Sequence, residues 1–180
     1  MRVKNLRALD VAATALNAGL YATFGLMFFY ILPLTAPGLG LVRFWPQVII
    51  PAVFAALFGP WVGGVGAMIG IFINDMFIHG NPILSLMAGV TSNFVGFFLV
   101  GYVAKRNLEW KIPMLAFGGI SILLVGITEF LLVPELLSTL QGLVFSGIIV
   151  GTYIVMLIVA FSSSKWRSYE VGCMIGLLLG

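Results

Sequence analysis

Residues 44–79 read FWPQVIIPAVFAALFGPWVGGVGAMIGIFINDMFIH, and this stretch decides which kind of fold the chain adopts. It contains two apolar runs, Pro46–Phe58 and Trp61–Ile78, separated by a Gly-Pro pair that interrupts a helix. Asp75 is the only side chain in the stretch that carries a full charge at neutral pH. Runs this apolar are typical of membrane spans, so we predict two spans here. The first is short and contains Pro51, and we expect it to be kinked or partly re-entrant.

The rest of the chain repeats this pattern. Four more apolar runs predict four more spans, at Ala8–Leu32, Ile83–Ala104, Ile112–Val133 and Gly142–Phe161. Of the 180 residues, 61% are hydrophobic and only 8% are charged, whereas soluble proteins carry about 25% charged residues. We therefore predict an all-α integral membrane protein with about six transmembrane helices, in a single domain that covers residues 1–180. The apolar tail, residues 171–180, is too short to span, and is either interfacial or the start of a further segment.

The basic residues indicate an orientation. Arg43 lies on one side of the predicted six-span arrangement, and the other basic residues lie on the opposite side: Arg2, Lys4, Arg7, Lys105, Arg106, Lys111, Lys165 and Arg167. Because positively charged loops stay in the cytoplasm, both termini are predicted to be cytoplasmic, in a multi-pass protein of the cell membrane. The same distribution accounts for the net charge of +3, which therefore does not indicate a nucleic-acid partner.

Several chemistries find no support in the composition. The chain has one cysteine, Cys173, and one histidine, His79, too few for a disulfide framework or a closed metal centre. No GxxxxGK[ST] loop is present to bind ATP. We predict neither a metal nor a cofactor, and no enzymatic activity of the chain itself.

Small residues recur on one face of three predicted spans. In the first span, Ala8, Ala12, Ala15, Gly19 and Ala22 are spaced by four, three, four and three residues, which places them on one helical face. Small residues let another helix approach closely in lipid. For the first span, docking of a partner and packing within the bundle are about equally supported. For the glycine stripes of spans three and six, we expect internal packing.

Polar and aromatic residues gather near the predicted outer mouth, where a concave ligand site requires a few placed polar groups. The candidate substrate-binding residues are Arg43, Phe44, Trp45, Gln47, Asn74, Asp75, His79, Asn93, Glu129 and Tyr153. Structural roles remain open for several of them. Asp75 and Glu129 could be hydrated side chains at the level of the lipid headgroups. Asn93 could form a hydrogen bond between helices, and His79 could be a hydrated loop histidine. The outer acidic residues favour a cationic or zwitterionic ligand and the aromatic residues a flat ring, while a carboxylate held by Arg43 remains possible.

One junction in the chain carries a resemblance. Leu57-Phe58-Gly59-Pro60, with Gly63 and then Asp75 at the end of the following span, resembles the second and third spans of S components, the substrate-binding subunits of energy-coupling-factor (ECF) vitamin transporters. Ala8 and Ala12 match the AxxxA pattern of the first span of that family. Length, span number and cytoplasmic termini agree as well. The substrate-binding residues of S components vary, so the resemblance assigns none of them here.

The resemblance implies a function and a set of partners. Such a protein captures a vitamin or related small solute from outside, beneath a lid formed by the loop between spans one and two, here Pro33–Trp45. Its first-span alanine face docks on a transmembrane coupling subunit, and two ATPase subunits power a cycle in which the S component topples. The alternative is a stand-alone secondary transporter or channel. That reading requires a polar path to the cytoplasm, yet Trp61–Gly70 and Ile112–Val125 contain only Ser121 as a polar side chain.

Overall fold

The structure, a computed structural model, describes residues 7–31, 45–106, 109–127, 130 and 138–179. These residues form helices and no strand. The helices are α1 (Ala8–Ile31), α2 (Ile49–Phe58, preceded by a 3-10 turn at Pro46–Val48), α3 (Pro60–Ile78), α4 (Pro82–Ala104), α5 (Lys111–Ile127), α6 (Leu140–Ser162) and α7 (Arg167–Leu179). Four of them, α1, α3, α4 and α6, are long and apolar enough to cross a membrane. The predicted all-helical membrane protein is confirmed, while the count of six spans remains a prediction.

The helices α1 and α3 run parallel and interlock through two buried asparagines. Asn17 on α1 donates from Nδ2 to the carbonyl of Val62 at 3.0 Å. Asn74 on α3 donates from Nδ2 to the carbonyl of Tyr21 at 3.3 Å. The Asn17 side chain packs against Gly66. A Cβ at position 66 would collide with the Asn17 amide, so only glycine leaves room for it. An unpaired amide is costly in lipid, so these two bonds fix the register of the pair.

The glycine stripe of α3 mediates packing inside the bundle, as expected. A Cβ at Gly63 would collide with Ala55 of α2 and approach the Phe97 carbonyl of α4. A Cβ at Gly70 would meet Tyr21 of α1. We also expected the glycines of α6 to pack inside the bundle, and this is not supported. Among the described residues, no atom lies within 4 Å of the position that a Cβ would take at Gly147 or Gly151.

The first half of α4 contains a wide turn. Asn81 caps the helix, since its side-chain oxygen accepts from the Leu84 amide at 3.1 Å, and Pro82 occupies the first helical position. Residues Ser85–Val90 then form a π-helical turn before α-helical geometry resumes at Thr91. Turns of this kind are uncommon and often lie at functional sites.

The tail of the chain forms α7, which packs against α4 in the antiparallel direction. Gly172 lies against the Val100 carbonyl, and Gly176 lies against the Gly96 carbonyl. Two glycines four residues apart let the backbones approach closely. Val171 and Met174 are fully buried, so the part of the tail that the structure describes contributes to the helix bundle.

The helices α5 and α6 are the most exposed part of the described bundle. They are joined by the Tyr153 hydroxyl of α6, which donates to the Met114 carbonyl of α5 at 3.2 Å. Arg167, at the start of α7, donates from Nε to the Ala160 carbonyl of α6 at 2.6 Å. The outward residues of α6 are apolar, including Ile154 and Phe161, as expected of a surface in contact with lipid.

Basic side chains lie together at one end of the bundle. Lys105, at the end of α4, lies over Gly59 at the junction of α2 and α3. The Arg167 guanidinium lies 4.9 Å from the ring centroid of Trp110, at the start of α5. The opposite end carries the turn between α3 and α4. That the basic end faces the cytoplasm remains a prediction from the charge rule.

Candidate functional site: a cavity at the π-turn of α4

A cavity of about 150 Å³ lies between α1, the 3-10 turn, α4 and α7. Its polar lining comes from Tyr21, Trp45, Ser92 and Asn93. The remaining lining residues are apolar or glycine: Val48, Gly96, Phe97, Val100 and Gly176. A mostly apolar concavity with a few placed polar groups is the usual form of a small-molecule site.

A row of hydrogen bonds crosses the cavity wall. Trp45 donates from Nε1 to the Tyr21 hydroxyl at 3.2 Å. The Tyr21 hydroxyl donates to Asn93 Oδ1 at 2.8 Å, and Asn93 Nδ2 donates to the Gly89 carbonyl at 2.8 Å. Tyr21 is fully buried. The row joins three separate parts of the chain, so the cavity exists only in the folded bundle.

Trp45 reaches this row because α2 begins well inside the bundle. Its partner, Tyr21, lies ten residues before the end of α1 at Ile31, or about 15 Å along the helix axis. Pro46 then starts the 3-10 turn, where a missing amide hydrogen costs nothing. That this segment is partly re-entrant in the membrane remains a prediction.

A second polar cluster lies at the turn between α3 and α4. Asp75 accepts at Oδ2 from the Ser85 hydroxyl at 2.7 Å, and its Oδ1 lies 3.6 Å from His79 Nε2. The backbone N–H of Asn81 donates to His79 Nδ1 at 3.1 Å. Asp75 also lies directly beside Gly89, whose carbonyl holds Asn93. The acidic cluster and the cavity therefore share the π-turn of α4.

The predicted site residues divide into three groups. Trp45 and Asn93 line the cavity, whereas Asp75 and His79 form the neighbouring cluster. Gln47, Asn74 and Tyr153 lie elsewhere. Gln47 is buried beside Trp45, and neither of its side-chain polar atoms has a hydrogen-bond partner among the described residues. Asn74 binds α1, and Tyr153 binds α5. Three predicted residues, Arg43, Phe44 and Glu129, lie outside the described residues.

Seven of the nine lining residues were not predicted as site residues from the sequence, among them Tyr21, Phe97 and Gly176. Tyr21 shares α1 with other aromatic residues, and only its buried position distinguishes it. Phe97 lies among several phenylalanines of α4, and its ring packs edge-on to Tyr21 with centroids 6.2 Å apart. Gly176 belongs to a GxxxG pair with Gly172, and that spacing was a signal that the tail packs on another helix.

The small-residue face of α1 points away from the cavity. Ala8, Ala12, Ala15 and Gly19 are all exposed, and no atom lies within 4 Å of the Cβ position at Gly19 among the described residues. The buried face of the same helix carries Asn17 and Tyr21. Ala22, the last residue of the predicted stripe, is buried. The first four residues of the stripe are therefore not used for packing within the described bundle, whereas Ala22 is.

The described part of the chain contains no group of three His, Cys, Asp or Glu side chains that could hold a metal ion. Asp75 and His79 form a pair with a hydroxyl neighbour, Ser85. The cavity and its cluster thus offer hydrogen bonding and aromatic surface as their chemistry.

Together, the helices and the cavity define an α-helical membrane protein with a small, mostly apolar cavity that carries a few polar groups. In sequence, the chain is similar to proteins named UPF0397. It is 30% identical to UPF0397 protein YdcD of Lactococcus lactis subsp. lactis over 129 residues, 72% of this chain and 65% of that protein. It is 31% identical to a UPF0397 protein of Aliivibrio salmonicida over 107 residues, 58% of this chain and 55% of that protein.

The match thus covers 65% of the length of the first of these curated relatives and 55% of the second, less than two thirds of each. Their names state no activity, substrate or partner. No family model matches the chain, and no solved structure matches it.

Proposed function

We propose that the chain is the membrane-embedded substrate-binding subunit of an ECF-type, ATP-driven importer in the cell membrane. It captures a vitamin or related small solute from outside in the cavity beside the π-turn. A transmembrane coupling subunit and two ATPase subunits supply the energy, so the chain itself carries out no catalysis. The resemblance of its Gly-Pro junction and alanine stripe to S components supports this proposal.

The observation that carries the proposal is the division of α1 into two faces. One face contributes Tyr21 to the cavity, and the opposite face presents Ala8, Ala12 and Ala15 without any contact that buries them. Exposed small residues on a membrane helix favour close docking of another helix. A single rigid element thereby links solute binding to a surface suited to a coupling partner.

A stand-alone transporter is less well supported. It would need polar groups that lead from the cavity to the basic end of the bundle. The stretch Trp61–Gly70 of α3 has no such side chain apart from the tryptophan nitrogen. Asn17 lies in this half of α1, and its amide nitrogen is bound to the Val62 carbonyl.

Two measurements on the same variants test the proposal. Solute binding is measured on the full chain in detergent, as a thermal shift against a panel of vitamins, nucleobases and precursors. Uptake of the solute that binds is measured in cells with and without the ATPase subunits. Ala12→Leu and Ala15→Leu are expected to abolish uptake and leave binding unchanged, because leucine holds a docked helix away from α1.

Ala116→Leu is the matched control, since Ala116 is also exposed but lies on α5, outside both the stripe and the π-turn. It is expected to change neither uptake nor binding. Uptake that continues without ATPase subunits would contradict the proposal and favour the secondary transporter. If a folded sample binds no solute across the panel, the role of a binding subunit is excluded.

A further inference from the structure

The size, charge and hydrogen-bonding groups of the cavity restrict what it can hold. We infer that it takes an uncharged, planar, single-ring solute that carries an amide-like edge. This inference rests on the proposed function and deepens it, because it names the chemical class of the solute.

The volume sets the first limit. A cavity of about 150 Å³ in a protein interior accommodates a single benzene ring. Sites for drug-sized ligands measure about 300–1,000 Å³. The cavity therefore matches one ring with a small substituent, and a fused or multi-ring solute would extend beyond the volume that the described residues enclose.

The charge of the lining sets the second limit. The described residues around the cavity include no acidic or basic side chain. The nearby carboxylate of Asp75 belongs to the other cluster, where Ser85 and His79 already contact it. An ionised solute would lose its hydration without gaining a counter-charge, which is unfavourable at membrane depth. The described lining therefore gives neither a cation nor an anion a counter-charge.

The hydrogen bonds of the wall define the third feature. After its bond to the Gly89 carbonyl, Asn93 Nδ2 keeps one proton to donate. The Tyr21 hydroxyl accepts a hydrogen bond from Trp45 and donates its own proton to Asn93. One lone pair on the hydroxyl oxygen therefore remains. Ser92 donates to the Gly89 carbonyl at 3.2 Å and also keeps acceptor capacity. One donor beside two acceptors complements a carbonyl next to an N–H group.

The aromatic rings fit a flat solute. Tyr21 and Phe97 meet edge to face at an interplanar angle of 72°, and Trp45 donates from Nε1 to the Tyr21 hydroxyl. All three line the cavity, and contacts between aromatic rings stabilise a guest ring beyond the area that is buried.

A matched set of probes tests the inference on the purified full chain. Benzamide, benzoate and benzamidine have nearly the same shape and are neutral, negative and positive in turn, and 2-naphthamide adds a second ring. Benzamide is expected to raise the melting temperature. The other three compounds are expected to bind with an apparent affinity at least about tenfold lower than that of benzamide. Uracil serves as a second uncharged single ring with an amide edge and is expected to behave as benzamide does.

Two variants locate the binding. Asn93→Asp is expected to weaken benzamide binding about tenfold or more, because the remaining donor is replaced by an acceptor. Trp45→Phe keeps an aromatic ring but removes the Nε1–H group that donates to the Tyr21 hydroxyl. This variant is expected to weaken the binding of benzamide by several-fold. Thr91→Ser is the control, because Thr91 is exposed, does not line the cavity, and donates its hydroxyl to the Leu86 carbonyl.

Binding of benzoate, benzamidine or 2-naphthamide as tightly as benzamide would overturn the inference. So would benzamide binding that Asn93→Asp and Trp45→Phe leave unchanged. If the vitamin panel yields a charged or multi-ring solute whose binding depends on Trp45, the inference fails while the proposed function stands. If no compound of either set binds a folded sample, both fail together.

Discussion

Three amide side chains occupy positions that only the folded bundle explains. Asn17, Gln47 and Asn74 are each 1% exposed or less. Asn17 and Asn74 donate to carbonyls of the neighbouring helix, yet their Oδ1 atoms have no hydrogen-bond partner among the described residues, and the same holds for both polar atoms of Gln47. Each such atom costs free energy in lipid, so these residues contribute specificity of pairing more than stability.

The buried carboxyl of Glu170, at the start of α7, leads to a prediction about pH. Glu170 is 7% exposed, Oε2 has no partner among the described residues, and burial raises the pKa of its carboxyl to about 7 from 4.5. Because the folded state favours the protonated form, the stability that this group contributes is present below about pH 4.5 and is lost as the pH rises through about 7. Glu170→Gln is expected to flatten the decline in melting temperature between about pH 5 and pH 8, an effect on the order of 1 kcal/mol.

Thermal denaturation in detergent at several pH values measures this effect. Glu109→Gln is a suitable control, since Glu109 is exposed. Identical pH profiles for the wild type and Glu170→Gln would show that Glu170 is hydrated in solution.

At the scale of the helix, the position of glycine separates packing faces from lipid faces. The glycines of α3 lie under neighbouring helices, whereas Gly147 and Gly151 of α6 meet no described atom. The two stripes look alike in the sequence, because spacing reports which residues share a face and not what that face contacts.

Alanine substitutions at these two kinds of glycine are expected to have opposite effects. Gly63→Ala places a methyl group against Ala55 and the Phe97 carbonyl, and is expected to destabilise the bundle by about 1–3 kcal/mol. Gly147→Ala adds the same methyl group in open space, and is expected to be neutral or to stabilise the helix by up to about 1 kcal/mol. Melting temperatures in detergent compare the two. A larger loss from Gly147→Ala would indicate that α6 packs on another helix in the functional assembly.

At the scale of the whole molecule, the basic end of the bundle and the turn between α3 and α4 are predicted to lie on opposite sides of the membrane. In a Cys173→Ser background, a cysteine at Asn81 is expected to react with a membrane-impermeant maleimide added to intact cells. A cysteine at Ser163, beside the basic residues, is expected to react only after the cells are opened. The reverse pattern would invert the predicted orientation and place the acidic cluster in the cytoplasm.

The sequence by itself determined the solvent and the class of the fold. Apolar runs as long as Ala8–Ile31 leave a helix as the only way to satisfy the backbone in lipid, so both ends of α1, α3 and α4 were predictable to within one residue. The helix α7 was not predicted, because its apolar run is too short to span. Among the site residues, Trp45 and Asn93 were predictable, because polar and aromatic groups in apolar runs are rare enough to be noticed.

Only the tertiary structure decided which faces of the helices meet. It selected Tyr21 from the aromatic residues of α1, placed the tail on α4, and separated Tyr153 from the cavity. In a water-soluble protein, the apolar face of a helix identifies its interior, but in a membrane protein the lipid-facing and buried faces are both apolar. The hydrophobic pattern therefore predicts that a helix spans the membrane but not which of its faces packs in the bundle. That face is determined by contacts between residues far apart in the chain.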